Sequence, residues 1–236
     1  MKNLKLFFFL LVASQLSWSC SKILSATFEN DPVNGLPAKD LAGAPSGDVI
    51  EYHDEIEQRL KVQNSTISGS KALHFTYDPI DNPIPLAGQW LIFKGIGTDL
   101  TQTLWFSYTG QNNAATVAID VSDGHGHLIA RMRIKPSGEV GLAQNLTDDY
   151  SDVIGNVGSA VHTVVFTVFT SELKYNVTVT KSSGPAIATE NKPMFTDNLL
   201  SFSNPAHPML SFLHAAEEPN GSTYAIGSVT ISRREP

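Results

Sequence analysis

Apolar residues alternate with polar or small residues along most of this chain, and this period of two is the feature that most limits its fold. Because successive side chains of a β-strand point to opposite faces, such alternation predicts strands with one buried face. The alternating segments are Leu73–Tyr77, Leu104–Tyr108, Val117–Val121, Ile129–Ile134, Val164–Val168, Tyr175–Val179 and Ile226–Ile231. Strands of this kind are typical of antiparallel sheets.

Turn residues separate these segments. Asp123-Gly124-His125-Gly126 lies between two alternating runs and predicts a hairpin. Pro136-Ser137-Gly138 and Ser182-Ser183-Gly184-Pro185 end two further strands. Strands that recur about every ten residues, with no linker between them, predict an all-β fold in which two antiparallel sheets form a β-sandwich or jelly roll. We expect one domain over residues 26–236, with a helical turn only at Asp54–Lys61.

Composition and charge limit the partners of the chain. Only 17% of its 236 residues are charged, against about 25% in an average soluble domain, and 42% are hydrophobic, so a packed core is expected. The 23 acidic and 16 basic residues give a net charge of −7, which repels polyphosphate. Nucleic acid is therefore not an expected partner. The single cysteine, Cys20, excludes an internal disulfide and a cysteine zinc site.

The N-terminal segment is typical of an export signal. Lys2 and Lys5 precede the apolar run Leu6–Ala13, and small or polar residues follow it. The run has about half of the roughly 20 residues that are needed to span a bilayer. These features predict a signal peptide over residues 1–19.

Cys20 directly follows this signal in the sequence Leu16-Ser17-Trp18-Ser19-Cys20, which resembles a bacterial lipobox. The resemblance implies that the cysteine is acylated and becomes the mature N-terminus, with two or more acyl chains for stable attachment. We therefore expect a lipoprotein with a short tether over residues 20–25, anchored in the cell envelope of a bacterium by its lipid alone. The outer membrane is favoured, and the leaflet stays open. The alternative is a secretory signal followed by an incidental cysteine.

Several short motifs follow one another in a characteristic order. They are Phe28–Pro37, Ser70–Phe75, Leu104–Tyr108, Ile129–Val140, Val161–Val164, Lys174–Val177 and Tyr224–Thr230. This order resembles the concanavalin A-like lectin/glucanase jelly roll, in the laminin-G-like form of bacterial exported lipoproteins, over nearly the whole mature chain. The resemblance implies a fold that serves binding proteins, enzymes and structural proteins alike, so it does not choose the function.

The same resemblance raises the question of a structural calcium ion. In the family an Asp of the last strand, in Ile-Asp-Asn-Val, can hold calcium together with an acidic residue near the N-terminus. Glu29 and Asp31 match the N-terminal half, whereas Gly227 stands at the position of the Asp and offers only a carbonyl. Calcium needs six to eight oxygen ligands. Two interpretations of Glu29 and Asp31 stay open, as calcium ligands or as groups that satisfy a turn.

No catalytic pattern of the family is complete. The nearest match to the glucanase motif Glu-x-Asp-x-x-Glu is the run Glu51, Asp54 and Glu57, and on a strand Glu51 and Asp54 would face opposite sides. A retaining glycosidase needs its two carboxyl groups about 5 Å apart. The Gln-x-His of the lyases does not occur, and His125-Gly126-His127 has no third metal ligand nearby in the sequence. We assign no catalytic residue.

The candidate ligand-binding residues are two arginines and three aromatic residues. Arg131 and Arg133 share one face of a strand and could neutralise a uronate carboxylate, and the alternative is that they line an inert polar face of the sheet. Trp90, Trp105 and Tyr108 are candidate platforms for a sugar ring, and the alternative is that they belong to the core. The sequence thus predicts a non-catalytic, membrane-anchored protein that binds a glycan or another surface partner. The alternatives are a divergent glycoside hydrolase or polysaccharide lyase, and a purely structural lipoprotein.

Overall fold

The computed structural model describes residues 20–39, 50–53, 60–76, 89–95, 103–124, 127–145, 147–195, 207–214 and 221–234. These residues form fifteen β-strands in two antiparallel sheets, which confirms the predicted fold class. Their one helical element is a short 3-10 turn at Thr170–Glu172. Within these ranges no helix has the length and apolar character that crossing a membrane requires.

The larger sheet has eight strands in the order β13-β12-β11-β6-β15-β4-β3, with β1 also paired to β15. Strand β15 pairs with β4 through its N-terminal half and with β1 through its C-terminal half, while β6 runs along its other side. The strands are β1 (Cys20–Thr27), β3 (Leu60–Asn64), β4 (Lys71–Thr76), β6 (Thr103–Asn113), β11 (Val161–Phe169), β12 (Lys174–Lys181), β13 (Ile187–Pro193) and β15 (Thr223–Arg234).

The smaller sheet has seven strands in the order β10-β9-β8-β7-β14-β5-β2. The hairpin β7–β8 and the strands next to it form its centre. Its strands are β2 (Ile50–His53), β5 (Gln89–Lys94), β7 (Val117–Ser122), β8 (Leu128–Ile134), β9 (Glu139–Leu142), β10 (Asp152–Asn156) and β14 (Met209–His214).

Aromatic side chains from both sheets meet in the core between them. The ring of Phe212, in the seven-stranded sheet, lies edge-on to Tyr108 of the eight-stranded sheet, with 4.9 Å between the ring centroids. Phe212 also packs edge-on against Phe93, at 6.0 Å. All three side chains are buried, and complete burial of one such side chain stabilises the fold by about 1.5–3 kcal/mol. The inward residues of every alternating run therefore hold the two sheets together.

Two local predictions from the sequence differ from the structure. Residues 20–25, predicted as a tether, lie in β1, which pairs with β15 from Cys20↔Arg234 to Thr27↔Ser228. Leu24 and Ala26 are buried and Ser25 is exposed, so β1 has the same period of two as the other strands. The predicted helical turn is also wrong at its end, because Leu60–Lys61 begins β3. Residues 54–59 and the predicted signal peptide lie outside the described residues.

Candidate functional site

Charged side chains gather on the outer side of the seven-stranded sheet, across β7 and β8. In β8 the residues Ala130, Met132 and Ile134 are buried, so the alternation turns Arg131 and Arg133 outward. Both arginines are half-buried. We call this surface the arginine face and define it by five residues: Asp120, Arg131, Arg133, Asp149 and Tyr150.

Arg131 forms a two-pronged ion pair with Asp120 across the β7–β8 hairpin. The two residues are register partners, and Arg131 donates from Nε to Oδ1 and from Nη2 to Oδ2 of Asp120, each over 3.1 Å. Burial raises the pKa of the Asp120 carboxyl group, and the hydrogen bonds and charge of Arg131 oppose that rise. A bidentate pair of this kind fixes the plane of the guanidinium group.

Arg133 contacts the loop between β9 and β10. It donates from Nη1 to Oδ1 of Asp149 over 2.7 Å and from Nη2 to the Asp149 carbonyl over 3.0 Å. Its guanidinium carbon lies 4.4 Å from the centroid of the Tyr150 ring, an arrangement that is attractive because the ring face is negative. The Nε of Arg133 is buried and has no hydrogen-bond partner in the described part of the chain.

The β9–β10 loop is ordered by its own side chains. Asp148 accepts hydrogen bonds from the backbone N–H of Gln144, over 2.7 Å, and from the hydroxyl of Ser151, over 3.0 Å. These bonds, led by the one from Gln144, lower the pKa of the Asp148 carboxyl group. Asn145 Oδ1 accepts from the backbone N–H of Thr147 over 2.9 Å. These bonds shape the described part of the loop next to Asp149 and Tyr150, the two residues that contact Arg133.

Two backbone features seat this loop on the sheet. Tyr150 has a φ of 56°, in the left-handed region that residues other than glycine rarely adopt. A Cβ atom on Gly141, in β9, would lie 2.6 Å from the carbonyl oxygen of Tyr150. The strained tyrosine and the missing side chain at Gly141 let the loop fold back against the sheet, and strain of this kind is frequent at functional sites.

Two of the three aromatic residues predicted from the sequence, Trp105 and Tyr108, do not lie beside the arginines. Tyr108 is 1% exposed and its hydroxyl lies 3.1 Å from that of Tyr224, so its prediction as a ligand platform is wrong and the core alternative holds. Trp105 is half-buried on the outer face of the eight-stranded sheet, the opposite side of the sandwich. Trp90 pairs with Leu213 through its backbone in β5, and its side chain lies outside the described residues.

Three residues of the arginine face were missed from the sequence. Asp120 had a signal, because it stands in the outward phase of the run Val117–Val121 and the hairpin turn pairs it with Arg131. Asp149 and Tyr150 had none, since their position depends on how the β9–β10 loop folds. Tyr150 is the aromatic residue that contacts Arg133 in the described part of the chain, and it was not among the aromatic candidates from the sequence.

The remaining sequence candidates have other neighbours. Glu51 lies in the edge strand β2, with its side chain outside the described residues, and Asp54 and Glu57 are also outside them. His127 binds the Asp123 carboxylate through Nδ1 and donates its backbone N–H to Asp123 Oδ1 over 3.1 Å, so the pair fastens the β7–β8 turn. His125 is not among the described residues.

Glu29 and Asp31 bind groups of the protein itself. Glu29 Oε1 accepts from the backbone N–H groups of Ser70, over 2.8 Å, and Lys71, over 3.2 Å. A hydrogen bond from the Ser70 hydroxyl, together with these two backbone bonds, lowers the pKa of the Glu29 carboxyl group. Asp31 Oδ1 accepts from the backbone N–H of Ala38 over 3.1 Å. No group of three or more His, Cys, Asp or Glu side chains with the placement of a metal site occurs within the described ranges.

Comparison with known proteins identifies the fold and no family. No protein-family model matches the sequence, and no curated protein matches it either. A carbohydrate esterase from the Shiga toxin-encoding bacteriophage phi24B has a similar structure, with a TM-score of 0.56 at 12% identity over 92% of this chain and 100% of that chain. Lectin II from Ulex europaeus has a TM-score of 0.53 at 11% identity, over 91% of this chain and 100% of that chain. Peanut lectin with a nine-residue peptide has a TM-score of 0.52 at 13% identity, over 89% of this chain and 97% of that chain. The chain thus has the concanavalin A-like β-sandwich fold that the sequence predicted.

Proposed function

We propose that this protein binds carbohydrate through the arginine face. The observation that carries the proposal is a set of fixed polar groups beside an aromatic ring on the outer side of one sheet: Arg131 and Arg133, their carboxylate partners, and Tyr150. Sugar hydroxyl groups both donate and accept hydrogen bonds, so a surface with N–H donors next to carboxylate acceptors can bind them in one orientation. The lectin-like fold supports the proposal without identifying the ligand.

The charges on this face favour a neutral saccharide. Arg131 is compensated by Asp120 and Arg133 by Asp149, so the four formal charges cancel. A uronate would have to displace Asp149 or Asp120 from its arginine, and the whole chain, at −7, repels an anionic polymer. We therefore propose a ligand that offers hydroxyl groups to the paired charges, in place of the uronate considered from the sequence.

A glycan array with the chain from residue 20 onward, carrying Cys20→Ser, tests the proposal. Arrayed neutral glycans should bind, and titration of the best one should give an affinity about fivefold lower for Tyr150→Ala, because an aromatic contact contributes about 1 kcal/mol. Thr109→Ala, on the outer face of the opposite sheet, is the matched control and should bind like the wild type. Equal binding by all three proteins would contradict the assignment of the site.

The proposal describes a binding protein without catalytic activity. Incubation of the wild-type protein with neutral, uronate-rich and sulfated polysaccharides should release no new reducing ends and no unsaturated products. Turnover that disappears in the Glu51→Gln, Asp54→Asn double variant would contradict this part of the proposal and favour a divergent hydrolase or lyase.

We also propose that the protein is exported and anchored through an acylated Cys20. The apolar run Leu6–Ala13 and the lipobox-like residues before Cys20 support this. Because β1 begins at Cys20, the folded sandwich would start at the lipid itself, without the tether that the sequence suggested. A palmitate analogue should label the wild type and not Cys20→Ala, and the variant should leave the membrane fraction. Equal labelling of both would contradict the anchor.

A further inference from the structure

The ammonium group of Lys71 binds two backbone carbonyl groups of the segment that follows β1. Lys71 Nζ donates to the carbonyl of Glu29 over 2.8 Å and to the carbonyl of Asp31 over 2.6 Å. Lys71 is the first residue of β4, an interior strand of the eight-stranded sheet. The contact therefore joins a loop near the N-terminus to the sheet through a single positive charge.

The carboxylate of Glu29 binds the same region from the other direction. Its oxygens accept from the backbone N–H groups of Ser70 and Lys71 and from the Ser70 hydroxyl. A Cβ atom on Gly69, which has a φ of 102°, would lie 2.3 Å from Glu29 Oε1, so the turn before β4 is shaped around this carboxylate. The Glu29 carboxylate of the loop thus binds the start of β4, and the Lys71 ammonium of β4 binds the loop.

These oxygens do not fit a calcium ion. The two carbonyl oxygens face the Lys71 ammonium, and the Glu29 carboxylate is taken up by N–H and O–H donors, which a cation would have to displace. Gly227 adds no carboxylate, and a Cβ atom there would already lie 2.6 Å from Cβ of Ser68. Calcium needs six to eight oxygens around it, and the described residues at this place do not supply such a set.

We propose that the Lys71 ammonium replaces the structural calcium that the resemblance implied, and that the fold needs no divalent cation at this position. The ammonium fastens the segment from Glu29 to Ala38 to the sheet. Backbone hydrogen bonds complete the attachment, since Asn34 donates to the Val62 carbonyl and Val62 donates to the Gly35 carbonyl, each over 2.8 Å. The sequence left two interpretations of Glu29 and Asp31 open, as calcium ligands or as groups that satisfy a turn. We therefore propose that they satisfy a turn.

Thermal unfolding of the chelator-treated protein tests the proposal. The melting temperature is measured by circular dichroism in EDTA and in about 5 mM calcium, a concentration above the dissociation constants of about 0.1–1 mM that are typical of extracellular calcium modules. The same measurement is made on Lys71→Met, which keeps the methylene chain and removes the charge and its donors. Lys181→Met is the matched control, because the Lys181 ammonium contacts one carbonyl, that of Asn156, over 3.2 Å.

The wild type should melt at the same temperature with and without calcium. Lys71→Met should melt about 5 °C lower, because hydrogen bonds from a charged donor are lost, and Lys181→Met should stay close to the wild type. A rise of several degrees in the wild type on addition of calcium would overturn the proposal. Equal melting temperatures for Lys71→Met and Lys181→Met would overturn it as well. If Lys71→Met does not fold, the calcium titration of the wild type still decides.

Discussion

The outer face of the seven-stranded sheet carries opposite charges in pairs. The outer face of the eight-stranded sheet, which we call the hydroxyl-bearing face, presents the hydroxyl groups of Ser107, Thr109, Thr163, Thr167 and Thr230. On the first, Asp120 and Arg131 lie across a hairpin, and on the second Thr109 and Thr163 lie across β6 and β11 with 3.2 Å between their hydroxyl oxygens. The same alternation turns all four outward, but a charge that loses its partner is far more costly than a hydroxyl that does. The two faces should therefore respond differently to the same kind of substitution.

The largest effect should come from Arg131→Ala, which leaves the Asp120 carboxylate without its partner. Both side chains are little more than a quarter exposed, so we expect the free energy of unfolding to fall by about 2–3 kcal/mol, below the range for fully buried pairs. Thr163→Ala, the matched change on the hydroxyl-bearing face, should cost less than about 1 kcal/mol. Urea unfolding monitored by fluorescence measures both, and similar losses would remove the contrast between the faces.

Acidification should destabilise the protein through the eight-stranded sheet. His162 is buried and contacts the Ala160 carbonyl and the Tyr224 hydroxyl, each over 2.9 Å, and burial lowers its pKa from 6.5, as it does for His74. An unfolded chain then binds protons that the folded chain does not, so stability is lost as the pH falls below about 6.5. Each unit by which the pKa is lowered corresponds to about 1.4 kcal/mol of that loss.

Urea unfolding at pH 7 and pH 5 measures this effect, with His162→Gln as the comparison. The variant should lose less stability between the two pH values than the wild type, although it starts from a lower value. The seven-stranded sheet acts in the opposite direction, because the raised pKa of Asp120 makes stability rise as the pH falls through that pKa towards 3.8. An unchanged slope in His162→Gln would show that other groups carry the pH dependence.

A smaller effect is expected from Gly141→Ala, which tests the arginine face without touching its charges. The added Cβ atom would lie 2.6 Å from the Tyr150 carbonyl oxygen, so the β9–β10 loop has to move away from the sheet. We expect a loss of about 1 kcal/mol in stability, at the lower end for overpacked sites, together with weaker binding of the glycan selected on the array. Gly221→Ala meets no atom within 4 Å, but the φ of 79° at Gly221 disfavours alanine, so it controls for lost stability alone and should bind like the wild type. Unchanged binding in Gly141→Ala would show that the loop does not contact the ligand.

The sequence predicted the fold because period-two alternation is a local signal that every strand repeats. It also separates two of the aromatic candidates, since Tyr108 is in phase with the buried Leu104 and Phe106 while Trp105 is out of phase. The common face of Arg131 and Arg133 follows from their spacing. Tyr150 could not be predicted, because its position depends on the Asp148 hydrogen bonds and on the space above Gly141. Loop geometry of this kind arises from tertiary contacts, which alternation does not encode.

The smallest effect should come from Trp105→Ala, although Trp105 is one of the candidate sugar platforms predicted from the sequence. Trp105 lies across from Thr167 and Ser232 on the outer face of the eight-stranded sheet. Packed sheets are about 10 Å apart, so a ligand on the arginine face lies beyond the reach of this ring. The affinity for the selected glycan should stay at the wild-type value in Trp105→Ala and fall in Tyr150→Ala. The reverse pattern would move the binding site to the hydroxyl-bearing face and assign to Trp105 the role proposed for Tyr150.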